Sequence, residues 1–241
     1  MTPLKRAFAQ TRIYQHAASI ITKPGFSLEV ERKFVPTPAS LVRLRKNNGD
    51  PPFHSHTYLG RKVLKEFYLQ HRSIDLMSHG IYLRVRNGVY EAKVRRAGNR
   101  TNTTSHELVG EKEVGGFIAT AFPHAALRLE DMLPCCWMRT LRDEWKVDGF
   151  NVAVDHTLFG HWKTGRPAYP QLPHLVAEVE LCRAGNSEDE GAELDRGIET
   201  FMEKNEWAFP STEKAVGKLV AWERWSERGA MDEKRMEGEW K

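Results

Sequence analysis

The stretch SLEVERKF, Ser27 to Phe34, governs how the rest of the chain is read. As a β-strand it sends Leu28, Val30, Arg32 and Phe34 to one face and Glu29, Glu31 and Lys33 to the other, because side chains alternate with a period of two. A face carrying two carboxylates and an ammonium is no ordinary core. It needs either water or a charged occupant.

Two hairpins sharpen the choice. Asn87-Gly88 and Asp148-Gly149 are both type I′ turn signals, and a two-residue loop sets the register of the strands that it joins. Around the first turn, Arg86 stands opposite Val89, Arg84 opposite Glu91 and Tyr82 opposite Lys93, all on one face. Leu83, Val85, Tyr90, Ala92 and Val94 share the other. Around the second, Lys146 faces Asn151, Glu144 faces Ala153 and Arg142 faces Asp155, with Trp145, Val147, Val152 and Val154 behind them. Alternation also puts Glu178 and Glu180 of LVAEVEL on one face, opposite Ala177, Val179 and Leu181. Glu111 and Glu113 of VGEKEVG share a face of a strand drawn over 106–114.

The chain has 241 residues, enough for one large domain. Its net charge of +4 is the difference between 36 basic and 32 acidic residues, which is dense charge rather than the basic excess of a nucleic-acid binder. Three cysteines, two of them adjacent at Cys135 and Cys136, give neither a disulfide framework nor a zinc spacing. No apolar run approaches the length of a membrane span. Residues 1–28 contain no Asp or Glu but carry Lys5, Arg6, Arg12 and Lys23, as mitochondrial presequences do; the alternative is a disordered tail on a cytoplasmic protein.

The rest reads as one α+β unit over 27–226, between a leader at 1–26 and a charged tail at 227–241. Strands are expected at 27–35, 63–70, 80–86, 89–96, 106–114, 137–147, 150–156 and 175–183. A short helix follows Thr37-Pro38 and ends at Asn47-Asn48-Gly49. Further helices are expected at 123–132, from a capping box at Ser187 and Glu190, and at about 212–226. Eight short strands with few helices suggest an antiparallel barrel. One charged strand face is usually solvated, but recurring carboxylate pairs segregated from Arg and Lys pairs suit a lumen that is balanced when filled. Mg²⁺ would satisfy the carboxylates and a phosphate chain the cations.

LEVERKF resembles the ExExK signature of the CYTH superfamily, the triphosphate tunnel metalloenzymes, and within it the thiamine-triphosphatase branch. The similarity runs in order through YLRVR, YEAKV, EKEV, RDEWK, VAVDHTLFG, AEVEL and AVGKLVAW. It implies an eight-stranded antiparallel tunnel with flanking helices, and Mg²⁺-dependent hydrolysis of thiamine triphosphate to thiamine diphosphate and phosphate, with Mn²⁺ as a substitute ion. By the same resemblance Glu29, Glu31, Glu113, Asp155, Glu178 and Glu180 serve the metal. Lys33, Arg84, Arg86, Lys93, Arg142 and Lys218 hold the triphosphate, Tyr82 stacks on the thiamine ring, and Glu29, Glu31 and Lys33 form the catalytic signature. A two-residue shift would put Ala153 in place of Asp155, and Gln70 stands where relatives carry an acid. The alternatives are a triphosphatase of the same fold acting on inorganic or other organic triphosphates, and a non-catalytic polyphosphate- or nucleotide-binding module. An RNA enzyme needs a basic apron at the tunnel mouth, for which this chain offers only Arg95, Arg96 and Arg100.

Overall fold

A computed structural model describes residues 27–98, 102–161, 166–167, 173–184 and 188–227. The leader, the tail beyond 227 and the Ser187 end of the expected capping box lie outside the described residues. The strands are β1 (Ser27–Phe34), β2 (His56–Gln70), β3 (Ile81–Arg86), β4 (Val89–Gly98), β5 (Asn102–Val109), β6 (Leu133–Val147), β7 (Phe150–His161), the two-residue β8 (Arg166–Pro167) and β9 (His174–Ala184). They pair antiparallel in the order β6-β2-β3-β4-β5-β1-β9-β7, and β6 pairs with β7 to close the ring. Eight strands therefore make a closed barrel, and β8 adds a short edge to β7.

Both hairpins have the register their turns dictate. Tyr82 pairs with Lys93 and Arg84 with Glu91, while Arg142 pairs with Asp155 and Glu144 with Ala153. Asn87, Gly88, Asp148 and Gly149 all have positive φ, between 47° and 90°, as a type I′ turn requires.

The apolar faces point outward to helices. Helix α1 (Pro38–Lys46) starts at a Thr37–Ser40 capping box and ends at Asn47 in the left-handed region. It and α3 (Glu188–Lys204) cover a core that contains Leu28, Val30, Trp145, Val154 and Val179. Arg32, at the edge of that face, donates to Asp195 and Glu199 of α3. Helix α2 (Glu111–Ala121) covers a second core with Leu83, Ala92, Val94 and Leu108. A last helix, α4, over 218–227, is different: it packs Leu219, Trp222 and Trp225 near Tyr68, Cys136 and Phe159, which share the inner face of the sheet with Arg84 and Glu66.

Three expected elements are corrected. The strand drawn over 106–114 stops at Val109, because Gly110 turns the chain at φ 108° and a helix begins at Glu111. Glu111 and Glu113 then favour the N-terminal dipole, and Val114, Phe117, Ile118 and Ala121 form the buried stripe at helical spacing. The helix expected at 123–132 is reduced to a 3₁₀ turn at Leu129–Asp131. The expected helix at 212–226 begins later, at residue 218.

Candidate active site

The inner faces of the strands line a cavity of about 480 Å³ running through the barrel. Strand β1 contributes Glu29, Glu31 and Lys33, β3 Tyr82, Arg84 and Arg86, and β4 Lys93 and Arg95. Arg142 of β6, Glu178 and Glu180 of β9 and Lys218 of α4 complete the charged wall. The inside charge and the outside apolar cores are thus two faces of the same strands.

In this wall most of the carboxylates are held against cations. Lys93 Nζ lies 3.0 Å from Glu29 Oε1 and 2.7 Å from Glu31 Oε2, and Lys33 donates to the other oxygen of Glu31. Arg142 forms a two-pronged pair with Asp155, 2.7 Å on each arm, and reaches Glu178 at 2.6 Å. Lys218, at the first turn of α4, crosses the lumen to Asp155 at 2.8 Å. Arg84 sits 2.6 Å from Glu91, and Arg86 3.0 Å from Glu66. Such charge-assisted bonds pre-position the guanidinium groups that a phosphate would share.

The pairs pull the acids in opposite directions. Burial lifts the Glu29 carboxyl to about 8 despite Lys93, with Glu107 and Glu31 adding repulsion. Burial acts on Glu31 as well, but Lys93 and Lys33 outweigh it and bring that carboxyl down to about 2. Burial and the neighbouring Glu178 hold Glu180 well above the usual carboxylate range. Glu178 is held well below it, because Arg142 and Lys33 overcome its burial. Burial alone would depress Lys93, but Glu31 and Glu29 raise its ammonium well above the ordinary lysine value.

One oxygen from each of Glu29, Glu31 and Glu180 falls within 4.8 Å of the others. Oε2 of Glu29 is buried with no hydrogen-bond donor, so these three carboxylates could hold a cation where they would otherwise repel one another. Three oxygen donors at this spacing suit a hard divalent ion.

The expected residues divide by position. Glu29, Glu31, Lys33, Tyr82, Arg84, Arg86, Lys93, Arg142, Glu178, Glu180 and Lys218 line the one cavity. Asp155 is 1% exposed behind that wall, clamped by Arg142 and Lys218, and is absent from the three-carboxylate cluster. Glu113 is a correction: it stands exposed on the first turn of α2, outside the cavity wall, because Gly110 ended its strand. Two further acids belong to the lumen network. Glu107 lines the cavity beside Lys93 and Arg84, and Glu66, 0% exposed, joins Arg84, Arg86 and Lys218. Both were within reach of the sequence: Glu107 has the parity of the pair at 111 and 113, and Glu66 lies on the expected strand 63–70, on one face with Leu64 and Tyr68.

A CYTH domain model matches residues 27–213. The chain belongs to the CYTH domain family. Among solved structures, the fold resembles the PH1819 protein of Pyrococcus horikoshii OT3, with a TM-score of 0.51 and 14% identity over 80% of this chain and 97% of that one. It also resembles HpAC1 from Hippeastrum, a proposed adenylyl cyclase with a dominant triphosphatase activity, at a TM-score of 0.50 and 15% identity over 82% of this chain and 95% of that one. At these identities the likeness is one of fold. No curated protein sequence matches the chain.

Proposed function

We propose that this CYTH protein is a metal-dependent hydrolase that converts a triphosphate to a diphosphate and orthophosphate inside its barrel. The observation that carries this reading is the meeting of the Glu29, Glu31 and Glu180 oxygens, one Glu29 oxygen buried and unpartnered, with a wall of Lys and Arg around the same cavity. A divalent cation, Mg²⁺ or in its place Mn²⁺, bound there would offset charge on the phosphate oxygens and help to orient water. Arg84, Arg86, Lys93, Lys33, Arg142 and Lys218 would grip the non-bridging oxygens, where charge sits in a loose transition state. Each cation would exchange part of its hold on a wall carboxylate for the substrate, so the wall is already organised before the substrate arrives.

Asp155 acts at one remove: it orients Arg142 and Lys218 from behind. Family resemblance puts thiamine triphosphate first among organic substrates, with Tyr82 as the aromatic that its ring would meet. The test is phosphate release from thiamine triphosphate and inorganic triphosphate, with Mg²⁺ and with EDTA. Release with Mg²⁺ and none in EDTA supports the reading; equal release in both, or none from any triphosphate, contradicts it.

A further inference from the structure

The lumen cations differ in one respect. Lys33, Arg84, Arg86, Lys93, Arg142 and Lys218 each sit within 4.0 Å of at least one carboxylate oxygen. Arg95 lines the same cavity, yet no carboxylate among the described residues pairs with it. Its guanidinium carbon lies 5.1 Å from the centre of the Tyr82 ring, one Nη donates to the Tyr82 hydroxyl, and Nε is buried without an acceptor. A guanidinium held by an aromatic ring, with a spare donor and no neutralising acid, is the lumen cation with least to give up on meeting an anion.

Its place along the barrel says which anion. Arg95 is two residues beyond Lys93 on β4, a step of about 6–7 Å. Its backbone is tied to Gly80, ahead of β3, at the end where Met77, Ser78 and Leu219 of α4 also reach the cavity. The acids that line this end do not pair with it: Asp75 takes the Gln70 amide and the Ser78 backbone, and Glu223 is exposed on α4. A chain held by Arg84, Arg86 and Lys93 would therefore present to Arg95 whatever follows its third phosphate.

We propose that Arg95, with Tyr82 as its platform, is a specificity-determining residue that reads the group attached beyond the triphosphate and favours an anionic one. The corresponding substrate class is linear polyphosphate of four or more units, preferred over a triphosphate capped by a cationic ring. The guanidinium covers a face of Tyr82 that such a ring would need and repels its charge. This rests on the lumen being the triphosphate site, and it narrows what that site takes.

The test compares inorganic tetraphosphate, inorganic triphosphate and thiamine triphosphate on the wild type, Arg95→Gln and Arg95→Lys. Binding is measured by calorimetry without metal ion, and turnover is measured with Mg²⁺. For Arg95→Gln the ratio of tetraphosphate to triphosphate affinity should fall about 10- to 100-fold, the range expected for losing a hydrogen-bonded charge. Thiamine triphosphate should bind more tightly than to the wild type, and Arg95→Lys should restore part of the tetraphosphate preference. An unchanged affinity ratio in a variant that melts like the wild type, or a loss of thiamine triphosphate binding equal to that of the others, would overturn the assignment. Absence of turnover on all three compounds would count against hydrolysis instead, while the binding ratios still decide the role of Arg95.

Discussion

The two faces of β3 are built for different ends. Leu83 points outward, wholly buried in the core under α2, while Tyr82 and Arg84 on either side of it point into the lumen. The same holds on β1, where Leu28 and Val30 pack beneath α3 and Glu29 and Glu31 line the cavity. Outside, the contacts are apolar and their loss leaves a hole. Inside, the contacts are between charges that cost free energy to desolvate and that a substrate can replace. Stability should therefore reside mainly in the outer face and chemistry in the inner one, at a separation of one residue along the strand.

The largest expected effect breaks that division on purpose. Arg142→Ala removes a lumen residue but leaves Asp155 and Glu178 buried without their guanidinium, and removing one partner of a buried pair costs about 3–5 kcal/mol. Denaturant melts check it, and Arg142 should be the lumen position where fold and activity are lost together. Next comes Leu83→Ala, a core truncation worth roughly 2–5 kcal/mol by the same melts, with phosphate release retained well below the transition. Arg86→Ala should show the opposite pattern. Glu66 keeps Arg84 at 3.4 Å and Lys218 at 3.7 Å, so the melt should shift by less than for Arg142→Ala, while turnover falls about 100-fold or more.

Much of this division was legible before the structure. Two type I′ turns set the register of β3–β4 and β6–β7, so every facing pair from Tyr82–Lys93 to Arg142–Asp155 followed from counting back from Asn-Gly or Asp-Gly. The strand around 106–114 was misread because alternation alone carried Glu111 and Glu113 past Gly110. The helical spacing of Val114, Phe117, Ile118 and Ala121 was present but interrupted by two glycines, which weigh against a helix interior. Lys218 had no strand pattern to place it; only tertiary packing brings the first turn of α4 over the lumen. The bare state of Arg95 depends on cross-strand partners far apart in sequence, which periodicity does not report.

A smaller effect follows from the raised carboxyl of Glu29. The folded, metal-free protein keeps a proton there up to about 8, whereas the unfolded chain releases it in the ordinary carboxylate range. Folding stability from this group is therefore present at low pH and is lost as pH rises through 8. His106, pushed down to about 4 by burial and Arg96, and His174, also lowered by burial, are neutral in the fold throughout that window and do not offset the trend. Between pH 7 and 9 the melting temperature without metal should drop on the order of 3–5 °C. Mg²⁺ should restore more of it at pH 9 than at pH 7, because binding there releases no proton. A flat metal-free profile would remove Glu29 as a buried, protonated acid.

The most direct test of the division takes one pair of variants through both assays. Glu31→Gln and Leu83→Ala are melted in urea and then assayed for Mg²⁺-dependent phosphate release from inorganic triphosphate, all at a temperature where each is folded. The account predicts that Glu31→Gln remains folded at the assay temperature with release reduced at least about 100-fold. Leu83→Ala should melt lower by roughly 2–5 kcal/mol with release close to that of the wild type. Wild-type release from a folded Glu31→Gln protein would contradict it, since the inner face of SLEVERKF would then have no part in the chemistry.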